Sequence, residues 1–124
     1  MMAHILVIDD DTILQELLPI ALGEEHTVTV VADGQQAHEK LESEVFDLMI
    51  VDLYMPVMDG MQFLHEVRER FAHPPCAIVM SGTNDANLRQ EVHDLGAVDF
   101  VRKPIDVASL KTRVDDALAS QSAG

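Results

Sequence analysis

The sequence predicts an α/β protein built on one parallel sheet with helices over both faces. Three observations lead there. Five short apolar runs, His4 to Asp9, Thr27 to Val31, Phe46 to Asp52, Cys76 to Ser81 and Val98 to Arg102, recur along the chain with helical patterns between them, the mark of repeated βα units. Two of them, Ile5 to Ile8 and Leu48 to Val51, are apolar without interruption, as central strands covered on both faces must be. At 124 residues, the chain is long enough for one core that needs neither disulfide nor structural metal, and too short for a second, effector-type domain.

Taken in order, the first strand ends on VIDDD, residues 7 to 11. Thr12 with Gln15 three residues on reads as a capping box for a helix over 12–23, with Asp11 a first-turn acid. Pro19 falls inside that helix and predicts a kink or an early end, since it removes a backbone hydrogen bond at about 3 kcal/mol if unrelieved. Gly23 stands where a C-terminal glycine belongs. After the second strand, Asp33 serves as N-cap for a helix over 34–43. The third strand runs into Asp52, and Asp59 and Gly60 shape the turn into a helix over 60–71, with Gly60 supplying an unusual backbone conformation. The fourth strand holds the single cysteine, Cys76, which rules out an internal disulfide and reads as buried core. A fourth helix over 85–95 ends at Gly96, and a fifth over 106–119 starts from Asp106. The expected domain covers 1–124, its core about 3–119, with a loose polar tail from Ser120 to Gly124.

With 22 acidic and 8 basic residues, the formal charge of −14 repels phosphate backbones and anionic membranes, so neither nucleic acid nor a membrane is an expected partner. No apolar run approaches the ~20 residues that span a bilayer, and no basic leader precedes one. A soluble cytoplasmic protein is expected.

Ligands of open parallel sheets bind outside the carboxyl ends of the strands. The residues at those ends are Asp9 and Asp10, Asp52, Ser81 and Gly82, and Lys103. Two carboxylates about 4 Å apart repel by roughly 4 kcal/mol at an effective dielectric of 20, so such a cluster calls for a cation or a raised pKa. An all-oxygen site with room for water suits Mg²⁺, which commonly bridges carboxylate to phosphate. Lys103 and the Ser81 hydroxyl then fit as partners for the oxygens of a phosphoryl group on Asp52, an aspartyl phosphate.

From about Ala3 to Ala119 the chain resembles the receiver domains of two-component response regulators. The resemblance rests on ILVIDDD, on MIVDLYMPVMDG around Asp52, on VMSGTND after the fourth strand and on GAVDFVRKPID at the fifth, in order and at matching spacing. It implies a flavodoxin-like (βα)5 three-layer sandwich with strand order 2-1-3-4-5. It also implies Asp52 as phosphoacceptor, with Asp10, Asp52 and the Tyr54 carbonyl as direct Mg²⁺ ligands and Asp9 acting through water. Ser81 and Lys103 match the hydroxyl and ammonium of the family, Lys103 beside a Pro104 usually preceded by a cis bond. The backbone at Leu53 and Gly82 matches phosphate contacts. Phe100 matches the aromatic switch position, without the outward hydrogen bond that a tyrosine makes. Tyr54 and Thr83 flank the phosphoryl group where an attacking water enters, so both are expected to tune dephosphorylation.

The expected function is a stand-alone receiver, an enzyme only upon itself, phosphorylated by a sensor histidine kinase or histidine phosphotransferase. Its expected output is a downstream protein bound through the fourth helix, fifth strand and fifth helix. A phosphorelay intermediate, or a module cut from a larger regulator, is the alternative. Two mimics fail. The string Asp9 to Thr12 is similar to the nucleophile motif of haloacid-dehalogenase-type phosphatases, but Ile13 stands where Thr or Val belongs and no cap domain fits. The string from His65 to Arg68 resembles the histidine box of sensor kinases, yet it lies on one short helix and reads as a solvated face. The remaining histidines lack metal-ligand spacing.

Overall fold

The structure, a computed structural model, describes residues 2–55, 58–83 and 86–123, with side chains through Ser120. Five βα units follow one another: β1 (His4–Ile8), α1 (Thr12–Leu22), β2 (Thr27–Val31), α2 (Gly34–Ser43), β3 (Leu48–Asp52), α3 (Gly60–Arg70), β4 (Cys76–Ser81), α4 (Ala86–Asp94), β5 (Ala97–Arg102) and α5 (Val107–Ala123). All strand pairs are parallel, in the order β2-β1-β3-β4-β5. This is the flavodoxin-like order that the resemblance implies.

Period-two alternation along the strands divides the core in two. Leu6, Ile8, Met49, Val51 and Val79 face one side, where Ala37 of α2, Phe63, Leu64 and Val67 of α3 and Val92 of α4 cover them. Ile5, Val7, Leu48, Ile50, Ile78 and Met80 face the other, against Leu14, Leu18 and Leu22 of α1 and Leu110 and Val114 of α5. The result is a three-layer sandwich. Burial on both faces is why the central strands carry no polar residue until their ends.

Register aligns those ends. Ile8 pairs with Val51, Asp52 with Met80 and Ser81 with Arg102, so the residues that follow β1, β3, β4 and β5 emerge along one edge of the sheet. Strand order reverses between β1 and β3, which opens a crevice between the loops that leave them.

Local details differ from the sequence reading in several places. The cap of α1 is Asp11 and not Thr12: its carboxylate accepts the Ile13 and Leu14 N–H groups at 2.9 and 3.4 Å. Gln15, expected to reach back to Thr12, instead donates its side-chain amide to the Asp9 carbonyl at 2.8 Å. Pro19 does not end α1 early; the helix continues through Leu22, where its buried leucines keep it packed. Gly23 takes an ordinary right-handed conformation, whereas Gly96, at φ +98°, is the left-handed cap after α4. Cys76 is half-buried at the edge of the α1/α5 core, not fully enclosed. Asp33 and Asp106 cap α2 and α5 as expected. α5 extends to Ala123, beyond the expected end at 119. Asp85, expected to open the fourth helix, and Pro56, Val57, Asn84 and Gly124 lie outside the described residues.

The reassigned cap has a direct consequence. Asp11→Ala lowers stability by about 1 kcal/mol in urea unfolding, whereas Thr12→Ala loses much less; equal losses would restore Thr12 as the cap.

Candidate functional site

The carboxyl ends of β1, β3 and β5 bring four predicted residues together, Asp9, Asp10, Asp52 and Lys103. Asp9 is fully buried, its Oδ1 accepting the Asp11 N–H at 2.9 Å and its Oδ2 lying 3.2 Å from Lys103 Nζ. Asp52, the last residue of β3, is also buried; its Oδ2 is 3.3 Å from the same ammonium and its Oδ1 accepts the Tyr54 N–H at 3.3 Å. Asp10 is exposed, and one carboxylate oxygen from each of Asp9, Asp10 and Asp52 lies within 4.8 Å of the others. Lys103 is held by its own backbone, whose N–H donates to the Ser81 carbonyl at 2.8 Å, and the peptide bond to Pro104 is cis, as the resemblance implies.

Charge dominates this arrangement. Burial, then the neighbouring Asp9 charge, pushes Asp52 from the ordinary 3.8 up to about 6, against the pull of Lys103 and the Tyr54 N–H. Burial lowers Lys103, but the facing charges of Asp9 and Asp52 outweigh it and raise the ammonium above its usual value. Lys103 is therefore charged throughout the physiological range. The donor set fits a hard divalent cation: it is all oxygen, partly open to water through Asp10, and includes Asp9 Oδ2, a buried oxygen that faces the Lys103 ammonium.

The other predicted residues surround this centre with differing fit. Ser81 is fully buried, but its hydroxyl is engaged by Thr83, at 3.1 Å from the Thr83 N–H and 3.3 Å from its hydroxyl. The Leu53 N–H donates to the Met80 carbonyl at 3.0 Å, so a phosphate contact there has to compete with a sheet bond. Gly82 and Thr83 are exposed, as is the Tyr54 ring. Phe100 is buried, with the Arg89 guanidinium 5.2 Å above its ring. Arg89, and Gln15 bound to the Asp9 carbonyl, are contacts the sequence reading missed. Arg89 sits on a helix surface where its residue type carries no signal, whereas Gln15 carried one but was assigned to a capping box with Thr12.

A second cluster, Glu25, His26 and Asp115, also brings potential ligand atoms together. Its chemistry argues against a metal. His26 Nδ1 accepts the Ala3 N–H at 3.1 Å, so the neutral ring carries its one proton on Nε2 and has no lone pair left for coordination.

A carboxyl group raised from 3.8 to about 6 on folding favours the protonated form, so its stabilising contribution is complete below pH 3.8 and is lost as pH rises through about 6. Without metal, ionised Asp52 therefore destabilises the fold at neutral pH. In EDTA at pH 7, Asp52→Asn raises Tm by roughly 5 °C, and the gain shrinks toward pH 4. A Tm difference independent of pH would contradict this account.

Comparison with known proteins agrees with this geometry. Residues 5–115 match the family model of the response regulator receiver domain. The chain is 34% identical over 123 residues to the sensor histidine kinase TmoS of Ectopseudomonas mendocina, covering 98% of this chain and 12% of that protein. It is 35% identical over 112 residues to response regulator RR06 of Streptococcus pneumoniae, covering 90% of this chain and 51% of that one. The chain thus spans about half or less of the length of these relatives. Among solved structures, the chemotaxis protein CheY4 of Vibrio cholerae superposes with a TM-score of 0.86 at 27% identity, covering 94% of this chain and 99% of that one. Sequence motifs, strand order, acidic centre and family match converge, and the chain belongs to the response regulator receiver domain family of two-component signalling.

Proposed function

We propose that this chain takes a phosphoryl group from the phosphohistidine of a sensor histidine kinase or histidine phosphotransferase onto Asp52, and that the phosphorylated form changes its affinity for a downstream protein. One observation carries the reading: the single ammonium of Lys103 faces both Asp9 and Asp52, at 3.2 and 3.3 Å. A lysine held this way at the carboxyl end of the sheet is placed to meet an incoming anion beside the Asp52 carboxylate.

In the transfer, a carboxylate oxygen of Asp52 forms the new bond to phosphorus as the bond to the donor imidazole nitrogen breaks, and the imidazole leaves with the electron pair. Lys103, kept protonated by the two carboxylates, neutralises the phosphoryl oxygens as charge builds on them. The Ser81 hydroxyl donates to one of them after leaving Thr83, and the backbone at Gly82 and Leu53 lies alongside. Asp10, Asp52 and the Tyr54 carbonyl, with Asp9 through water, would hold Mg²⁺, which supplies charge neutralisation between carboxylates and phosphoryl group.

Output follows from where Ser81 and Phe100 sit. The modification replaces one carboxylate charge with roughly −1.5 to −2 and acts by biasing an existing equilibrium. Withdrawing the Ser81 hydroxyl from Thr83 frees the start of the segment leading to α4, and moving Phe100 separates its ring from Arg89 on that helix. The surface made by α4, β5 and α5 is therefore the proposed docking face. A second reading, a relay carrier or a module of a larger regulator, draws on the match to a sensor histidine kinase of which this stretch is 12%. Loss of phosphate from Asp52 to the histidine of a phosphotransferase would favour the relay; tighter target binding without transfer favours docking.

With a small phosphodonor and Mg²⁺, the intact mass of the protein rises by one phosphate and Asp52→Asn abolishes the gain. A wild-type protein that binds Mg²⁺ yet never gains phosphate would remove the mechanism. The exposed Tyr54 ring, two residues from Asp52, shields the phosphoryl group from water, so Tyr54→Ala speeds loss of the phosphate mass severalfold; an unchanged rate contradicts that role.

A further inference from the structure

Resting on the assignment of Asp52 as phosphoacceptor, we infer that Gly60 is a positioning residue that sets where the backbone of Asp52, Leu53 and Tyr54 lies. Gly60 opens α3, and its N–H donates to the Leu53 carbonyl at 2.9 Å. Its conformation is unremarkable, since the positive φ among the described glycines belongs to Gly96. The sequence reading therefore named the right residue for the wrong reason. What matters is space.

A Cβ at position 60 would lie 2.4 Å from the Asp52 carbonyl oxygen, 2.7 Å from the Leu53 Cα and 3.0 Å from the Asp52 carbonyl carbon. Every one of these atoms is backbone, so no side chain can swing aside. Ordinary contact begins near 3.4 Å, and the strain is relieved only by a displacement of about 1 Å, the scale at which reacting groups lose orders of magnitude in rate. Neither neighbour yields easily. β3 is paired on both sides, to β1 and β4, and α3 is anchored in the core by Phe63, Leu64 and Val67. The strain therefore falls on the junction between them, the Asp52–Leu53 peptide and the Tyr54 backbone that faces the Asp52 carboxylate.

Gly34 makes an informative contrast. A Cβ there would meet Met58 Sδ at 2.8 Å, its Cγ at 3.0 Å and the Phe63 Cβ at 3.2 Å, so its two tightest contacts are with the end of a flexible side chain and none is with the backbone of β3.

The test compares wild type, Gly60→Ala and Gly34→Ala in the 124-residue chain. With a small phosphodonor and Mg²⁺, Gly60→Ala gains phosphate mass roughly ten- to a hundredfold more slowly than wild type, while Gly34→Ala stays within about twofold whatever its Tm. In metal-free protein, the amide NMR shifts caused by Gly60→Ala centre on residues 52 to 54. A Gly60→Ala protein that phosphorylates at the wild-type rate, or whose shifts are confined to α3, overturns the inference. A wild type that takes no phosphate overturns the phosphoacceptor assignment instead, and the metal-free spectra still decide the backbone placement. Should Gly60→Ala not fold, the wild-type Gly60 amide decides: it moves on titration with Mg²⁺ alone if the contact is as described, and an unmoved amide refutes it.

Discussion

Lys103 stands between two buried carboxylates, and the rest of the site is arranged around that fact. Asp9 and Asp52 are both almost wholly removed from water. Left alone, a like-charged pair in that setting opposes folding, through burial first and mutual repulsion second. One ammonium within 3.3 Å of both offsets part of this opposition. It does not remove it, because Asp52 remains raised to about 6 despite the lysine. The centre thus keeps unspent negative charge in a place where a cation or a phosphoryl donor complex can reach it.

Topology is what makes so costly a cluster possible. Each strand is apolar along its length and turns polar only at its carboxyl end, and four such ends meet because β1, β3, β4 and β5 are adjacent and parallel. The two cores fix the strand register, so the acidic residues are placed by side chains that never touch them. Secondary fixings finish the job. Asp11 caps α1 while its N–H holds Asp9, Gln15 holds the Asp9 carbonyl, and the Lys103 N–H is tied to β4 through Ser81. Removing hydrophobic area far from the centre therefore weakens stability before it disturbs the chemistry, whereas a change at a loop junction does the reverse.

Much of this was legible in the sequence. The strands were readable because burial on both faces leaves an uninterrupted apolar signal, and the site because its members stand directly after those strands. Local chemistry was less so. Thr12 and Asp11 are both good capping residues one position apart, and only the backbone path decides which carboxyl or hydroxyl reaches the free N–H groups. Gly60 was identifiable as special, but a glycine needed for φ and a glycine needed for space look the same in one dimension. The Arg89 contact over Phe100 and the engagement of Ser81 by Thr83 depend on how a helix and a turn pack against β5 and β4. No spacing rule encodes them.

The electrostatics also bound what the proposed chemistry requires. Asp9, Asp10 and Asp52 carry three negative charges when ionised against one positive charge on Lys103. A phosphoryl group on Asp52 replaces one carboxylate charge with roughly −1.5 to −2, so the imbalance grows with modification. Lys103 cannot grow with it. Its ammonium is already shared between two carboxylates, and a third anionic group divides the same charge further. A phosphorylated state would therefore be the one most dependent on an added cation, and the exposed Asp10 with the buried Asp9 Oδ2 is where its charge would be most needed. A divalent ion at that position would lower the energy of the proposed modified state more than that of the unmodified one. On this account a metal dependence of the proposed transfer would be a property of the charge balance, present before any donor arrives.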